Sequence, residues 1–391
     1  MAAKEKIPEK NPFKAGTAHQ PPLLAGRDAE TRLLTEALDL LCGERKKRWG
    51  ALVSDPFPPI KIVGPRGVGK TALLGWAEEQ AKKRGIRCVS CEELTQNKEG
   101  HTMHELLADV SIIPRLLRRI KGGNVNVVDK VGAGVEMDQF RPAFASVAGF
   151  AVRCKPLLLL LDEVQHFELP LLRAVLQGSQ RLLRQRYPLG VVLAGTPGLD
   201  RHLSKAEATF IHRSEEIYIN RLSDEATRAA LQKPFEQEKI AVTTEALEAM
   251  AAQTDNYPFF IQVVGRAVWD AMTEAGRQDV DITLVAKIEE RARTRRDSFY
   301  EKGRAELDEH NVMPYVFQII ELLERNQGRV DALAIVAALV DANPDIDRER
   351  AHEISSILRD QGLFWTVDGN AEPGIPSFFS YCKARRQQKA S

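Results

Sequence analysis

The chain has 391 residues, 43% hydrophobic and 28% charged, with a formal net charge of +1 at pH 7. That length supports two or three domains around ample core, and the balanced charge excludes any global attraction to nucleic acid or to an acidic membrane. The longest unbroken apolar run, residues 156–161, is too short to span a bilayer, and five cysteines without paired metal spacing fit a reducing cytoplasm with no signal peptide.

Residues 1–22 are rich in Pro, Lys and Glu and lack periodicity, so they predict an arm, either disordered or laid over the core. Leu23-Leu24-Ala25-Gly26-Arg27-Asp28-Ala29-Glu30 leads into a helical pattern through Leu33, Leu34, Ala37, Leu38 and Leu41, with Asp28 as its cap. The polar residues 43–48 read as a loop. The apolar run 60–63 then enters Gly64-Pro65-Arg66-Gly67-Val68-Gly69-Lys70-Thr71, which has the form G-x-x-x-x-G-K-T. Its glycines let the backbone wrap a polyphosphate with N–H groups inward, and a helix starting there presents its N-terminus to the anion. Lys70 supplies a point charge for the β- and γ-phosphates, and the Thr71 hydroxyl is placed to ligate Mg²⁺, so the expected ligands are ATP and Mg²⁺.

Residues 86–90 read as a second strand. Cys88 and Cys91 make a single C-x-x-C with no second pair or histidine cluster, and read as free thiols. Residues 104–120 predict mostly helix, ending in Arg115, Arg118, Arg119 and Lys121, and residues 124–136 a hairpin insertion. Such a basic end either touches a nucleic-acid backbone or is a solvated surface. After a helix over 141–152, residues 156–161 form an all-apolar strand, as expected of a central parallel strand buried on both faces.

That strand ends in Asp162-Glu163, at the edge where ligands sit in open α/β sheets. Asp162 would hold Mg²⁺ through water and Glu163 would orient or deprotonate the attacking water; a carboxylate pair here could otherwise be a helix cap. A helix with Leu169, Leu172, Val175, Leu176, Leu182 and Leu183 inward follows, then the strand 190–194 and Gly195-Thr196-Pro197-Gly198. Thr196 lies where it could contact the γ-phosphate or the water, unless it is only a turn residue before Pro197. Residues 217–219 are the last core strand. Hydrolysis also profits from an arginine that stabilises transition-state charge; Arg213 is the candidate, with Arg221 the alternative, and either acts from a neighbouring subunit or is a surface arginine. The alternation of strand and helix over 23–220 predicts a doubly wound parallel sheet.

From Ser223 to about His310 the pattern is only helical, a small lid. Three short helices and a hairpin around Asp368-Gly369-Asn370 then describe a winged helix. Its third helix carries Arg348, Arg350 and Arg359 against Asp347, Glu349, Glu353 and Asp360, a poor match for phosphates. The tail holds Lys383, Arg385, Arg386 and Lys389 with no acids among them, so it either grips a phosphate backbone or is a frayed, solubilising terminus.

The ordered set of Gly26-Arg27 with Glu30, the glycine-rich loop, Asp162-Glu163, Thr196 and the helical lid resembles an AAA+ ATPase. More narrowly it resembles the origin-recognition initiator-like and STAND branch, over about residues 23–380. The resemblance implies an arm at 1–22, a P-loop ATPase core at 23–220, an α-helical lid at 221–310, and a winged helix with basic tail at 311–391. It also implies Arg27 near adenine, Lys70 and Thr71 on phosphate and Mg²⁺, and Thr196 as sensor 1. Where ordinary members carry the sensor 2 arginine this chain reads Asp255-Asn256-Tyr257-Pro258, closer to the Gly-x-Pro of STAND proteins but without its glycine, with Pro258 as a nucleotide contact. The expectation is a slowly hydrolysing, ATP-dependent switch, cycling between ATP and ADP, that forms homo-oligomers and binds a protein partner. The alternatives are an initiator-like or transposition-helper ATPase acting on DNA through the winged helix and tail, and a scaffold that binds nucleotide without turnover, against which Asp162-Glu163 speaks.

Overall fold

The computed structural model describes residues 10–16, 21–43, 46–48, 51–53, 57–92, 106, 109–110, 137–207 and 213–390. The hairpin read over 124–136 and the basic cluster Arg115, Arg118, Arg119 and Lys121 lie outside the described residues, as does most of the helix read over 104–120. The chain divides into two compact units, one drawn from residues 28–63 and 73–218, the other from 1–27, 64–72 and 219–391.

In the first unit, α1 (Asp28–Cys42) buries Leu34, Ala37, Leu38 and Leu41, the i, i+3, i+4, i+7 stripe of an amphipathic helix. The residues read as a loop instead include a strand, β1 (Lys46–Arg48), paired antiparallel with β2 (Ala51–Val53), where the β-favouring run Ala51-Leu52-Val53 supplies a local partner. Five parallel strands follow: β3 (Ile60–Val63), β4 (Arg87–Glu92), β5 (Leu157–Asp162), β6 (Leu189–Gly195) and β7 (Glu215–Tyr218), in the order β4-β5-β6-β3-β7. Between them run α2 (Lys70–Lys83), α3 (Met137–Cys154), α4 (Leu169–Arg184) and α5 (Leu199–Lys205). Every residue of β5 and β6 is buried, as a strand covered on both faces must be. Val63 pairs with Gly195 and Leu161 with Leu193, so β3, β5 and β6 end at one edge of the sheet. Cys88 and Cys91 are free thiols on β4, and burial, with Glu78 adding to it, pushes the Cys88 thiol up to about 12.

In the second unit, α6 (Asp224–Gln237), α7 (Thr244–Ala252), α8 (Pro258–Glu274), α9 (Ile282–Lys287) and α10 (Glu289–Glu309) form the predicted helical segment. The segment also holds a short parallel pair, β8 (Ala241–Val242) with β9 (Asp279–Val280), which the helical periodicity hid. Ser223, Thr243 and Asp281 cap α6, α7 and α9 through their side chains. The arm is laid on this segment at Phe13, which is 1% exposed and packs against Phe235 and Trp269 with ring centroids 5.4 and 6.5 Å away.

The C-terminal elements are α11 (Met313–Arg325), β10 (Val330–Asp331), α12 (Ala332–Ala342), α13 (Arg348–Asp360), β11 (Phe364–Val367) and β12 (Asn370–Pro373), the three strands being antiparallel in the order β10-β12-β11. Asp368 and Gly369 both have positive φ (48° and 78°) between the paired residues Val367 and Asn370, the two-residue turn whose twist suits a hairpin. The basic tail is a helix, α14 (Phe378–Ala390), not a frayed end. Burying Phe378, Tyr381 and Cys382 anchors it, Lys383 pairs with Glu324 at 2.5 Å, and Arg386 lies 4.4 Å over the Phe317 ring. Among the described residues no helix is long and apolar enough to cross a membrane.

Candidate active site

Arg27, the loop 64–71 and Pro258 fall in one unit; Asp162, Glu163, Thr196 and Arg213 fall in the other. The glycines of the loop are required by shape. A Cβ on Gly64 would stand 2.5 Å from the Ile219 carbonyl, and Gly67 has φ +83°. Lys70 is only 4% exposed and donates from Nζ to the carbonyls of Gly64 and Pro65, at 3.1 Å each. Arg27, 7% exposed, donates to the Asn220 carbonyl and, at 3.4 Å, to that of Val68. Arg27 and the loop are therefore one hydrogen-bonded piece.

The start of α8 grips the same loop. Phe259 donates its backbone N–H to the Gly67 carbonyl at 3.1 Å, and Tyr257 donates its hydroxyl to the Arg66 carbonyl. Complete burial holds the Tyr257 phenol far above its ordinary 10, so it stays a neutral donor. Arg66 in turn pairs with Glu306 of α10 at 2.8 Å and lies 6.0 Å over the Phe299 ring. Phe299 stacks on Phe259 with centroids 4.4 Å apart. Pro258 occupies the first turn of α8, where its missing N–H costs nothing. Asn256 stands where the STAND motif would have glycine, and its φ is +60°; asparagine is among the few side chains that tolerate this region. Of this group the sequence alone marks only Pro258 as a nucleotide contact. The signal for Tyr257 and Phe259 was their adjacency to it, since aromatics flanking a helix-starting proline can close over a neighbour.

In the sheet unit, Asp162 ends β5, 4% exposed, and its Oδ1 accepts the Glu163 N–H at 2.9 Å. Glu163 adopts left-handed backbone (φ 47°, ψ 44°) and caps a one-turn 3₁₀ helix, Val164–His166. The carboxylate pair thus does serve a cap-like turn, but through backbone conformation, since no Glu163 side-chain cap bond forms. Gln165 donates from Nε2 to Glu163 Oε2 at 2.5 Å, and its Oε1 accepts the Thr196 N–H at 3.2 Å. Thr196 is 7% exposed, and its Oγ1 has no hydrogen-bond partner among the described residues. Nothing in the sequence had marked Gln165.

Arg213 is exposed just before β7. Arg221, by contrast, donates to the Gly374 carbonyl at 3.0 Å and lies 5.4 Å over the Trp365 ring. Among the described residues no group of three or more His, Cys, Asp and Glu is arranged to hold a metal ion.

Residues 58–203 match the family model described as an AAA domain. Among curated protein sequences none matches the chain. Among solved structures the chain is similar to a Walker-type ATPase of Pyrococcus abyssi (TM-score 0.59, 16% identity, covering 94% of this chain and 98% of that one). It is also similar to the ORC2 protein of Aeropyrum pernix, solved as ADPNP-ADP complexes (TM-score 0.58, 16% identity, 98% and 99% covered), and to Cdc6p of Pyrobaculum aerophilum (TM-score 0.51, 14% identity, 97% and 98% covered). At these identities the likeness is one of fold. The parallel α/β sheet and the glycine-rich loop are thus those of an α/β fold shared with these structures, and residues 58–203 match an AAA domain.

Proposed function

We propose that the chain binds ATP with Mg²⁺ and hydrolyses it slowly, as a nucleotide-gated switch of the AAA+ class. The observation that carries this reading is the pair of hydrogen bonds from Tyr257 and Phe259 to consecutive carbonyls of the phosphate loop. The loop amides of Gly64 and residues 66–69 are the groups that would cradle phosphate, and the carbonyls of Arg66 and Gly67 are held by the start of α8. Repositioning the loop around ATP or ADP then biases the lid helices, which is the two-state element a switch needs.

In the hydrolytic step Lys70 would hold the β- and γ-phosphates, and Glu163 would take a proton from the attacking water or orient it. Thr196, whose Oγ1 lacks a partner among the described residues, would donate its hydroxyl to the terminal phosphate. Thr71 and Asp162 offer the all-oxygen donor set that a hard cation prefers, and would hold Mg²⁺, which neutralises phosphate charge when bound. The exposure of Arg213 suits a transition-state arginine given to a neighbouring copy, and so homo-oligomerisation with ATP. That the A. pernix neighbour was solved with nucleotides supports the choice of ligand by analogy only.

A protein partner fits the chemistry better than duplex DNA. The α13 helix mixes three arginines with acids, and Lys383 and Arg386 of the tail are engaged by Glu324 and Phe317. Steady-state ATPase of the full chain, with Glu163→Gln beside it, tests the reading: turnover should vanish in the variant with ATP binding kept. Undiminished turnover in that variant would sink the assignment. Sizing chromatography in ATP and in ADP tests oligomerisation, and an unchanged mass removes that part. Binding to duplex DNA at low salt that falls steeply with added salt would favour DNA over protein as the partner.

A further inference from the structure

We infer that Gln165 is a positioning residue that ties the water-activating carboxylate of Glu163 to the strand end carrying Thr196, so that hydrolysis is gated by what Thr196 touches. The inference rests on the reading of Glu163 as the base.

The polarity of the link is forced. A backbone N–H can only donate, so the Thr196 N–H at 3.2 Å must face Gln165 Oε1. The amide nitrogen is then turned to Glu163 Oε2, 2.5 Å away. One side chain is read at both ends, with no alternative orientation that keeps both bonds. The site is shaped for it: a Cβ on Gly195 would stand 2.9 Å from Gln165 Oε1, and glycine there leaves the amide its place.

Glu163 is fixed from the other side as well. Its left-handed backbone is held by the Asp162 carboxylate on its N–H, and the following turn is anchored by Val164, which is fully buried. Gln165 therefore holds one oxygen of the carboxylate of a residue whose backbone is already set. The remaining variable is the end of β6. Among the described residues the buried Thr196 hydroxyl has no partner, and it sits on the same residue whose N–H holds Gln165. A terminal phosphate that engages this hydroxyl shifts the N–H as well, and the amide passes that shift to the base. When phosphate leaves, the carboxylate is released from its working position.

The test uses the full chain with Gln165→Leu, Gln165→Glu, Glu163→Gln and the double variant Glu163→Gln/Gln165→Leu. Turnover, KM for ATP, binding of a non-hydrolysable ATP analogue and the thermal unfolding midpoint are measured for each. Gln165→Leu removes both bonds, whereas Gln165→Glu keeps an acceptor for Thr196 but repels Glu163. Both should lower kcat by about tenfold or more, with KM and analogue binding within about twofold of wild type. The double variant should be no slower than Glu163→Gln alone, because the two residues act as a unit. If Glu163→Gln is inactive while both Gln165 variants turn over like wild type, or lose activity through KM alone, the inference falls and the proposed function stands. If wild type does not turn over ATP, or Glu163→Gln does so undiminished, both fall. Should the leucine variant fail to fold, Gln165→Glu, nearly isosteric with the native side chain, decides on the same outcomes.

Discussion

Phe259 donates its backbone N–H to the carbonyl of Gly67 across 3.1 Å, one residue beyond the Arg66 carbonyl that accepts the Tyr257 hydroxyl. A loop whose amides are proposed to face a phosphate still has carbonyls to satisfy, because a buried C=O without a partner is costly. Here the first residues of α8 satisfy two of them. The loop and α8 are thereby one mechanical piece, and the positive φ of Gly67 belongs to the same arrangement.

Tyr257→Phe should leave the Arg66 carbonyl without its donor, beside the fully buried ring of Phe260. The expected loss of stability is about 1–2 kcal/mol. Amide hydrogen exchange over residues 64–69 should speed up while the sheet strands stay protected. Unchanged exchange in the loop would show that the hydroxyl does not hold it.

Gly67→Ala should be worse. The new Cβ would meet Phe259, Phe299 and Tyr257, each at 3.1 Å, in a backbone region with φ +83°. Left-handed strain alone costs about 1–2 kcal/mol, and the aromatic neighbours must also give way. ATP-analogue affinity should fall by about tenfold or more, the equivalent of about 1.4 kcal/mol. Titration with full affinity retained would refute this.

Phe13→Ala tests the arm. Phe13 packs onto Gly265, where an added Cβ would lie 2.4 Å from its ring, and Asn11 donates to Asp270 at 2.7 Å. Emptying such a site costs about 3–5 kcal/mol for Phe→Ala. Denaturant unfolding of the second unit should shift accordingly, and removal of residues 1–16 should match it. An unshifted midpoint would mean the arm is an ornament.

Lys61 should make stability depend on alkaline pH. It lies on β3 almost wholly buried, between Asp200 at 2.6 Å and Glu216 at 2.8 Å. Burial works to lower its pKa, but hydrogen bonds and charge from the two carboxylates outweigh burial and hold it above the ordinary 10.5. A raised folded-state pKa means the stabilisation is fully present below 10.5 and fades as pH rises through the folded value. Lys61→Met, of similar volume, should fall within about 1 kcal/mol of wild type at pH 7 and lack that alkaline decline. Denaturant titrations from neutral pH to above the ordinary lysine range check it, and parallel curves would count against the ion triad.

Much of the site was legible because it is written in local rules. A glycine-rich turn between strand and helix, an all-apolar strand closed by two carboxylates, and Thr196 at the end of the next strand are all spacing signals within one element and its cap. The five-stranded parallel sheet followed from strict alternation of strand and helix. The readings that changed were those where short-range pattern is ambiguous. Residues 43–48 are polar, yet Lys46–Arg48 pairs with Ala51–Val53, since a two-strand pair asks for a partner more than for a period. The basic tail has no acids within it, yet Glu324 lies against Lys383 from a distant helix.

The sequence by itself thus determined the fold class, the phosphate loop and the residues offered for hydrolysis, because backbone conformation and periodicity are properties of neighbours along the chain. Only the tertiary structure decided what those residues touch. Gln165 reaches Thr196 across 31 positions, and Tyr257 reaches Arg66 across 191. A glutamine after a carboxylate pair and a tyrosine before a proline have no periodic signature. Their roles arise from directional hydrogen bonds, which exist only once separate strands and helices have been brought within about 3 Å of one another.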